Sequence, residues 1–222
     1  MMGTGLALGL VARAPLPGRC KTRLARAIGP IPAARLYEAM LRDSLDSYAR
    51  IPAGRHVLLA APEDDGVAAL RVLAPPAWEI EPQVGADLGE RLAHAMRSLG
   101  AHGDAVVLAG SDSPMVPFDA IEVGVGSLAA PRNAIVGPAA DGGYYLIGVS
   151  EMQPGVLEGI RWSTSVVLEQ TVERCADLGL AVTRLPPSYD VDEPADFERL
   201  RRDVHARPDR APHVAAFLRD GG

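Results

Sequence analysis

Three aspartates stand where a carboxylate could hold a divalent cation. Asp112 follows the apolar run 106–109 and Gly110, between Ser111 and Ser113 and just ahead of Pro114. A run with no polar break reads as a strand buried on both faces, and in an open α/β sheet ligands sit outside the carboxyl ends of such strands. Asp190 and Asp192 alternate around Val191, so in an extended segment both carboxylates face one side. Clustered carboxylates repel unless a cation sits among them, which makes this pair the best partner for Asp112 on a shared Mg²⁺ or Mn²⁺. Helix capping is the alternative for each. Asp192-Glu193-Pro194 could open a helix over 195–204, although a cap accounts for one aspartate and not comfortably for both.

Cations and glycines gather in three further stretches. Arg13, Arg19, Lys21 and Arg23 crowd a segment that also holds Pro15, Pro17 and Gly18, straight after an apolar run at 6–12. A basic Pro/Gly loop at that position suits phosphate, since backbone donors and cations converge there; a solvated basic turn is the alternative. Its spacing is neither that of a Walker loop nor that of a dinucleotide fingerprint. From Gln83 to Leu92, Gly85 and Gly89 flank the first turn of a helix, where a flat base or ribose could approach the backbone closely. Asp87 with Glu90 three residues on also reads as an ordinary capped helix start. Asp141-Gly142-Gly143 is a tight turn, and Tyr144 and Tyr145 beside its carboxylate offer stacking and hydrogen bonding to a small acceptor. Trp162-Ser163-Thr164 precedes a helix from about 165 to 178, with Ser163 or Thr164 as its cap.

The elements that must position these residues alternate along the chain. Apolar strands are predicted at 6–12, 56–61, 78–82, 106–110, 134–138, 144–149 and 181–185. Helices are predicted between them: one carrying the stripe Tyr37, Met40, Leu41, Leu45 and Tyr48, a short one opening at 62–65 and running to about 73, then one through Leu92, Met96 and Leu99, and one over 117–128. The Tyr37 stripe reads as core packing. Alternation of this kind predicts a three-layer α/β domain with a mainly parallel sheet over residues 1–205, followed by a tail, 206–222, with a short helix around 214–218.

Composition narrows the class. The chain has 222 residues, 48% hydrophobic and 23% charged, with a net charge of −6. That balance argues against a nucleic-acid binder. Cys20 and Cys175 are far apart and in no zinc spacing, so free thiols in a reducing cytosol are expected. No stretch approaches a membrane span. The expectation is a cytoplasmic protein, monomer or homodimer.

Taken in order, the motifs P-x-P-G-x-x-K-T-R-L from Pro15, G-x-D-L-G-E-R from Gly85, G-S-D-S-P from Gly110, G-P-A-x-D-G-G-Y-Y-L-I-G from Gly137, W-S-T from Trp162 and D-V-D from Asp190 resemble a bacterial family of GT-A-fold enzymes, the radical-SAM/selenodomain-associated transferases 1. That family is similar to phospholactate guanylyltransferase and the molybdenum-cofactor nucleotidyltransferases. The resemblance implies a GT-A three-layer sandwich and a divalent metal on Asp112 and Asp192, with Asp190 beside them. It implies a triphosphate wrapped by Arg13, Pro15, Gly18, Lys21 and Arg23, and a base and ribose along Gln83, Gly85, Asp87, Leu88 and Arg91. Asp141, Gly142, Gly143, Tyr144, Trp162, Ser163 and Thr164 would face the acceptor. This chain departs at its first loop, which has the Pro-Gly form in place of the G-x-G-T-R-x-x-x-K form of many nucleotidyltransferases. Two reactions fit: transfer of a nucleotidyl group from an NTP to a small phosphate- or phosphonate-bearing acceptor, or glycosyl transfer from a nucleotide-sugar with Asp141 as base. A non-catalytic nucleotide-binding module is the reading from another class.

Overall fold

A computed structural model of the chain describes residues 5–62 and 66–221. Four strands, β1 (Leu6–Ala12), β2 (Arg55–Ala60), β3 (Trp78–Pro82) and β4 (Ala105–Gly110), pair in parallel. Beyond β4 lie β6 (Tyr144–Val149), β5 (Asn133–Pro138) and β7 (Ala181–Arg184), giving the order β3-β2-β1-β4-β6-β5-β7. The sheet is mainly parallel, as expected, with β6 antiparallel to both of its neighbours. Parallel neighbours need a crossover of a dozen or more residues, and the turn between β5 and β6 is far too short for one. A hairpin is therefore forced. It leaves the Asp141 turn at the same edge of the sheet as the carboxyl ends of β1 and β4.

Strands that are apolar throughout need cover on both faces. One face packs Leu8, Leu10 and Val107 against Leu41, Leu45 and Tyr48 of α2 (Pro30–Tyr48) and Ile121 and Val125 of α5 (Phe118–Ser127). The other packs Ala7, Val57 and Val106 against Ala95, Met96 and Leu99 of α4 (Leu88–Gly100) and Cys175 of α6 (Val167–Asp177). Three layers result. Both cysteines are free and buried, and among the described residues no helix is long and apolar enough to cross a membrane.

Several boundaries depart from expectation. The single helix expected through Tyr48 is two, α1 (Thr22–Ile28) and α2. Gly29 breaks them at φ 92, and Pro30 starts the second, where its missing N–H costs nothing. The short helix expected from 62 is α3 (Gly66–Arg71), and its expected opening at 63–65 lies outside the described residues. Neither Ser163 nor Thr164 caps α6, which starts later, after Val166. Thr164 Oγ1 instead donates back to the Arg161 carbonyl at 2.6 Å. The chain ends in α7 (Pro194–Ala206), a 3₁₀ turn at Pro208–Arg210 and α8 (Pro212–Arg219). The tail helix is longer than expected because Pro212 and His213 form its first turn. Val214 and Phe217 pack with Leu36 and Met40 of α2 and Leu200 and Val204 of α7.

Candidate active site

Three segments meet at the carboxyl edge of the sheet. They are the loop from Arg13 to Lys21 after β1, the loop from Ser111 after β4, and the run Tyr189–Glu193 ahead of α7. The Val191 N–H donates to the Asp112 carbonyl at 3.0 Å, which docks the third segment on the second. Lys21 brings the side chains together: its Nζ donates to Oδ1 of Asp112 and, at 2.9 Å, to Oδ1 of Asp192. The lysine side chain is 4% exposed, whereas the two aspartate side chains are 48% and 49% exposed. The ammonium thus lies behind the carboxylates, and the carboxylates face solvent. Burial works against the Lys21 charge, but the charges and hydrogen bonds of Asp112 and Asp192 override it and hold the ammonium well above its ordinary range. To reach this position Lys21 takes a left-handed backbone, φ 46, at the N-cap of α1.

A polar floor lies under this trio. The Tyr37 ring centroid is 5.4 Å from Lys21 Nζ. Its hydroxyl accepts the Arg13 N–H at 3.0 Å and shares a hydrogen bond with Ser111 Oγ at 2.8 Å. Burial first, and then the Asp112 charge, push this phenol up to about 12, so it stays neutral. Helical spacing marks Tyr37 as core, and its ring is; the hydroxyl belongs to the site. The sequence carries no cue that sets Tyr37 apart from Tyr48, the other phenol of the same stripe, which lies in the core.

Asp190 and Asp192 flank buried Val191 but take different partners. Asp190 accepts from Ser113 Oγ, and its carboxyl is pushed up to about 6 by burial, with the charges of Asp112 and Asp141 adding to the effect. Neither aspartate caps α7. Glu193 and Asp196 form the capping box there, and Pro194 takes the first helical position. Asp112 caps nothing either, since α5 begins after Pro117.

The basic loop turns at 16–19, where the Arg19 N–H donates to the Leu16 carbonyl at 3.0 Å, with Pro15 before it and Gly18 at φ 77. Arg13 and Arg23 are exposed. Arg23 lies 3.7 Å from Glu193, with both side chains mostly in solvent, a weak pairing. Lys21, expected at phosphate, is at the aspartates.

Gln83 ties three strands together. Its amide nitrogen donates to the Leu59 carbonyl at 2.8 Å and the Ala12 carbonyl at 3.4 Å, and its backbone N–H to Ala60. Gly85, at φ 147, has room for no side chain because the Arg91 nitrogen would lie 2.7 Å from a Cβ. Arg91 Nε returns a hydrogen bond to the Gly85 carbonyl at 3.2 Å. Asp87 is the N-cap of α4, accepting the Glu90 N–H at 2.9 Å, while Glu90 accepts from Ala86. Its side chain is committed to the helix, and Leu88 beside it is 42% exposed. Gly89 touches Trp162, whose Nε1 would be 2.3 Å from any Cβ there. The expected acceptor residue Trp162 therefore abuts the segment expected to carry the nucleotide.

On the far side, the Asp141 turn closes through Gly143 N–H to Asp141 Oδ1, 2.9 Å. Gly142, at φ 89, presses on the Ser165 carbonyl, and the Leu168 N–H donates to Gly142, so the turn is docked on the start of α6. Asp141 itself is exposed. Tyr144 stacks edge-on to Trp162 at 6.4 Å with its hydroxyl buried, and Tyr145 donates inward to the Pro186 carbonyl at 3.0 Å. Ser163, at φ 60, and Thr164 are exposed beside them.

A profile of the family described as "Uncharacterized protein conserved in bacteria (DUF2064)" matches residues 44–164. Among solved structures, a protein provisionally assigned as a nucleotide-diphospho-sugar transferase, from Desulfovibrio desulfuricans G20, is 35% identical. The match covers 97% of this chain and 94% of that one, with a TM-score of 0.87. The expected transferase fold is thereby shown. Two more distant structures share the fold alone. Rv0371c from Mycobacterium tuberculosis H37Rv, solved with manganese, is 18% identical over 89% of this chain and 98% of that one, TM-score 0.54. A cytidylyltransferase from Leptospira borgpetersenii is 15% identical over 97% and 93%, TM-score 0.57. No curated protein matches the sequence.

Proposed function

The chain belongs to the DUF2064 family, and from that membership and the geometry above we propose that it is a metal-dependent nucleotidyltransferase. It joins an NTP to a small acceptor bearing a phosphate or phosphonate and releases pyrophosphate. The closer kinship with radical-SAM/selenodomain-associated transferases, suggested by the ordered motifs, is part of the same proposal. One observation carries it: Asp112 and Asp192, from segments far apart in the chain, present half-exposed carboxylates side by side, next to an arginine-bearing loop at the carboxyl edge of the sheet.

The donor set fits Mg²⁺ or Mn²⁺. Such ions take oxygen ligands, often one or two carboxylates with substrate phosphates completing the shell. Among the described residues no group of three or more His, Cys, Asp or Glu is arranged to hold a metal unaided; the two carboxylates would share the ion with the nucleotide. Manganese in the Mycobacterium tuberculosis structure supports this choice of cation. When bound, the ion supplies positive charge for the departing pyrophosphate.

The chain's own residues do the rest. Arg13 and Arg23 meet the β- and γ-phosphates. The Gln83–Arg91 segment lies along the base and ribose. Asp141 to Gly143 and Trp162 to Thr164 border the acceptor. An acceptor oxygen forms its bond to the α-phosphorus as the bond from that phosphorus to the bridging oxygen breaks, and pyrophosphate leaves with the electron pair. An acceptor phosphate is already anionic, so no general base is needed. Exposed Asp141 favours a second reading, glycosyl transfer, in which it takes the proton of an acceptor hydroxyl; the assignment of the Desulfovibrio relative is in keeping with that.

Calorimetric titration of each NTP and of UDP- and GDP-sugars, with and without Mg²⁺, tests the choice on wild type and Asp112→Ala. Metal-dependent NTP binding that is lost in the variant is the expected result. Preference for a nucleotide-sugar moves the reading to glycosyl transfer, and metal-independent binding to both proteins refutes the metal role of Asp112.

A further inference from the structure

Lysine occurs once in this chain: of its 22 Lys and Arg residues, every one but Lys21 is arginine. Arginine is always charged and grips phosphate with a planar fork. A loop that had only to hold phosphates could do so with arginine in place of lysine. What an arginine cannot do is act as a compact point charge in the closed space between two carboxylates. Lys21 occupies that space, 4% exposed, above the Tyr37 ring, and it meets each carboxylate through Oδ1 alone. Among the described residues nothing donates to Oδ2 of either aspartate, and both side chains are about half exposed.

We propose that Lys21 is a resident counter-ion, a positioning residue that stays between Asp112 and Asp192 throughout the reaction. It turns their second oxygens outward and holds the net charge of the trio at −1. Its positive charge opposes an incoming dication, so the site takes a divalent metal only together with the phosphates of the nucleotide. This deepens the nucleotidyl-transfer reading and rests on it for the nucleotide, but not for the free-metal behaviour.

Because the chain has one lysine, protein made with isotope-labelled lysine gives a single side-chain ammonium signal in NMR. The expected result is a signal protected from solvent exchange that persists when Mg²⁺ is added, and again when Mg²⁺ and a non-hydrolysable NTP analogue are added. Loss of protection on Mg²⁺ alone, or a coupling to phosphorus once nucleotide is present, overturns the proposal. A second arm measures free Mn²⁺ binding by electron paramagnetic resonance, without nucleotide, for wild type and Lys21→Met. The variant should bind at least about tenfold more tightly, because a unit charge a few ångströms from a dication exceeds that factor even at the dielectric constant of water. Equal or weaker binding overturns the proposal; if the variant fails to fold, the wild-type signal still decides. Failure of wild type to bind any nucleotide refutes nucleotidyl transfer, whereas both nucleotide-free readouts still judge the counter-ion.

Discussion

At the residue scale, the site depends on polar atoms placed where a packed core would ordinarily have none. The Tyr37 hydroxyl is the clearest case. It accepts the first backbone N–H of the basic loop and bonds to Ser111, so two loops register against one phenol. Tyr37→Phe keeps the ring beside Lys21 and strips away the acceptor, leaving the Arg13 N–H without its partner. The expected cost is about 1–2 kcal/mol of stability, read from urea unfolding. Nucleotide affinity should weaken as well, because the loop loses its anchor; unchanged stability would show that the phenol is incidental.

At the element scale, helix ends explain most of what the site residues are free to do. Glu193 and Asp196 cap α7, which releases Asp190 and Asp192 for other partners. Asp87 caps α4, which ties one of its carboxylate oxygens to the Glu90 N–H. Helix α8 is capped from outside itself: Ala211 at its N-cap has no side-chain acceptor, and buried Asp43 of α2 accepts the His213 and Val214 N–H groups at 2.9 and 3.0 Å. Asp43→Ala should cost about 1–3 kcal/mol in denaturant unfolding, because two helix-end donors lose their acceptor. Burial raises the Asp43 carboxyl from 3.8 to about 6. The folded state then holds this proton more tightly than the unfolded chain does. The group's favourable contribution is complete below about pH 4 and is lost as the pH rises through about 6. Unfolding free energies of wild type and Asp43→Asn, measured across that window, should show the downward slope in wild type and a smaller one in the variant.

At the scale of the whole molecule, the C-terminal helix shares a core with the segment that delivers Asp190 and Asp192. Val214, Ala215 and Phe217 pack with Tyr189, Val191, Leu200 and Val204, and with Leu24, Leu36 and Met40 of the first two helices. Removing residues 211–222 uncovers that surface. Burying each large apolar side chain is worth about 1.5–3 kcal/mol, so the truncation takes away a large part of the ~5–15 kcal/mol that holds a domain folded. A markedly lowered melting temperature is expected, with metal-dependent nucleotide binding impaired because the Asp190–Asp192 segment loses its support. A truncated protein that melts like the full chain would mark the tail as an appendage.

Much of this architecture is legible in the sequence, because it follows from local periodicity. Unbroken apolar runs such as 106–109 mark strands covered on both faces, and their alternation with helical stripes yields the three layers. The short link at 139–143 leaves β6 no choice but to run antiparallel. Gly29 and Pro30 mark a helix break, although the stripe that follows masks it. The placement of Lys21 is another matter. Its own neighbours are cations and prolines, which suggest phosphate; the carboxylates it meets lie 91 and 171 residues further along. Likewise the contact of Gly89 with Trp162 and the capping of α8 by Asp43 join residues from separate elements. The sequence determines which strands and helices form and which polar residues stand at their ends. Only the tertiary structure decides which of those ends face one another, because a buried charge takes whichever opposite charge the folded chain brings within reach.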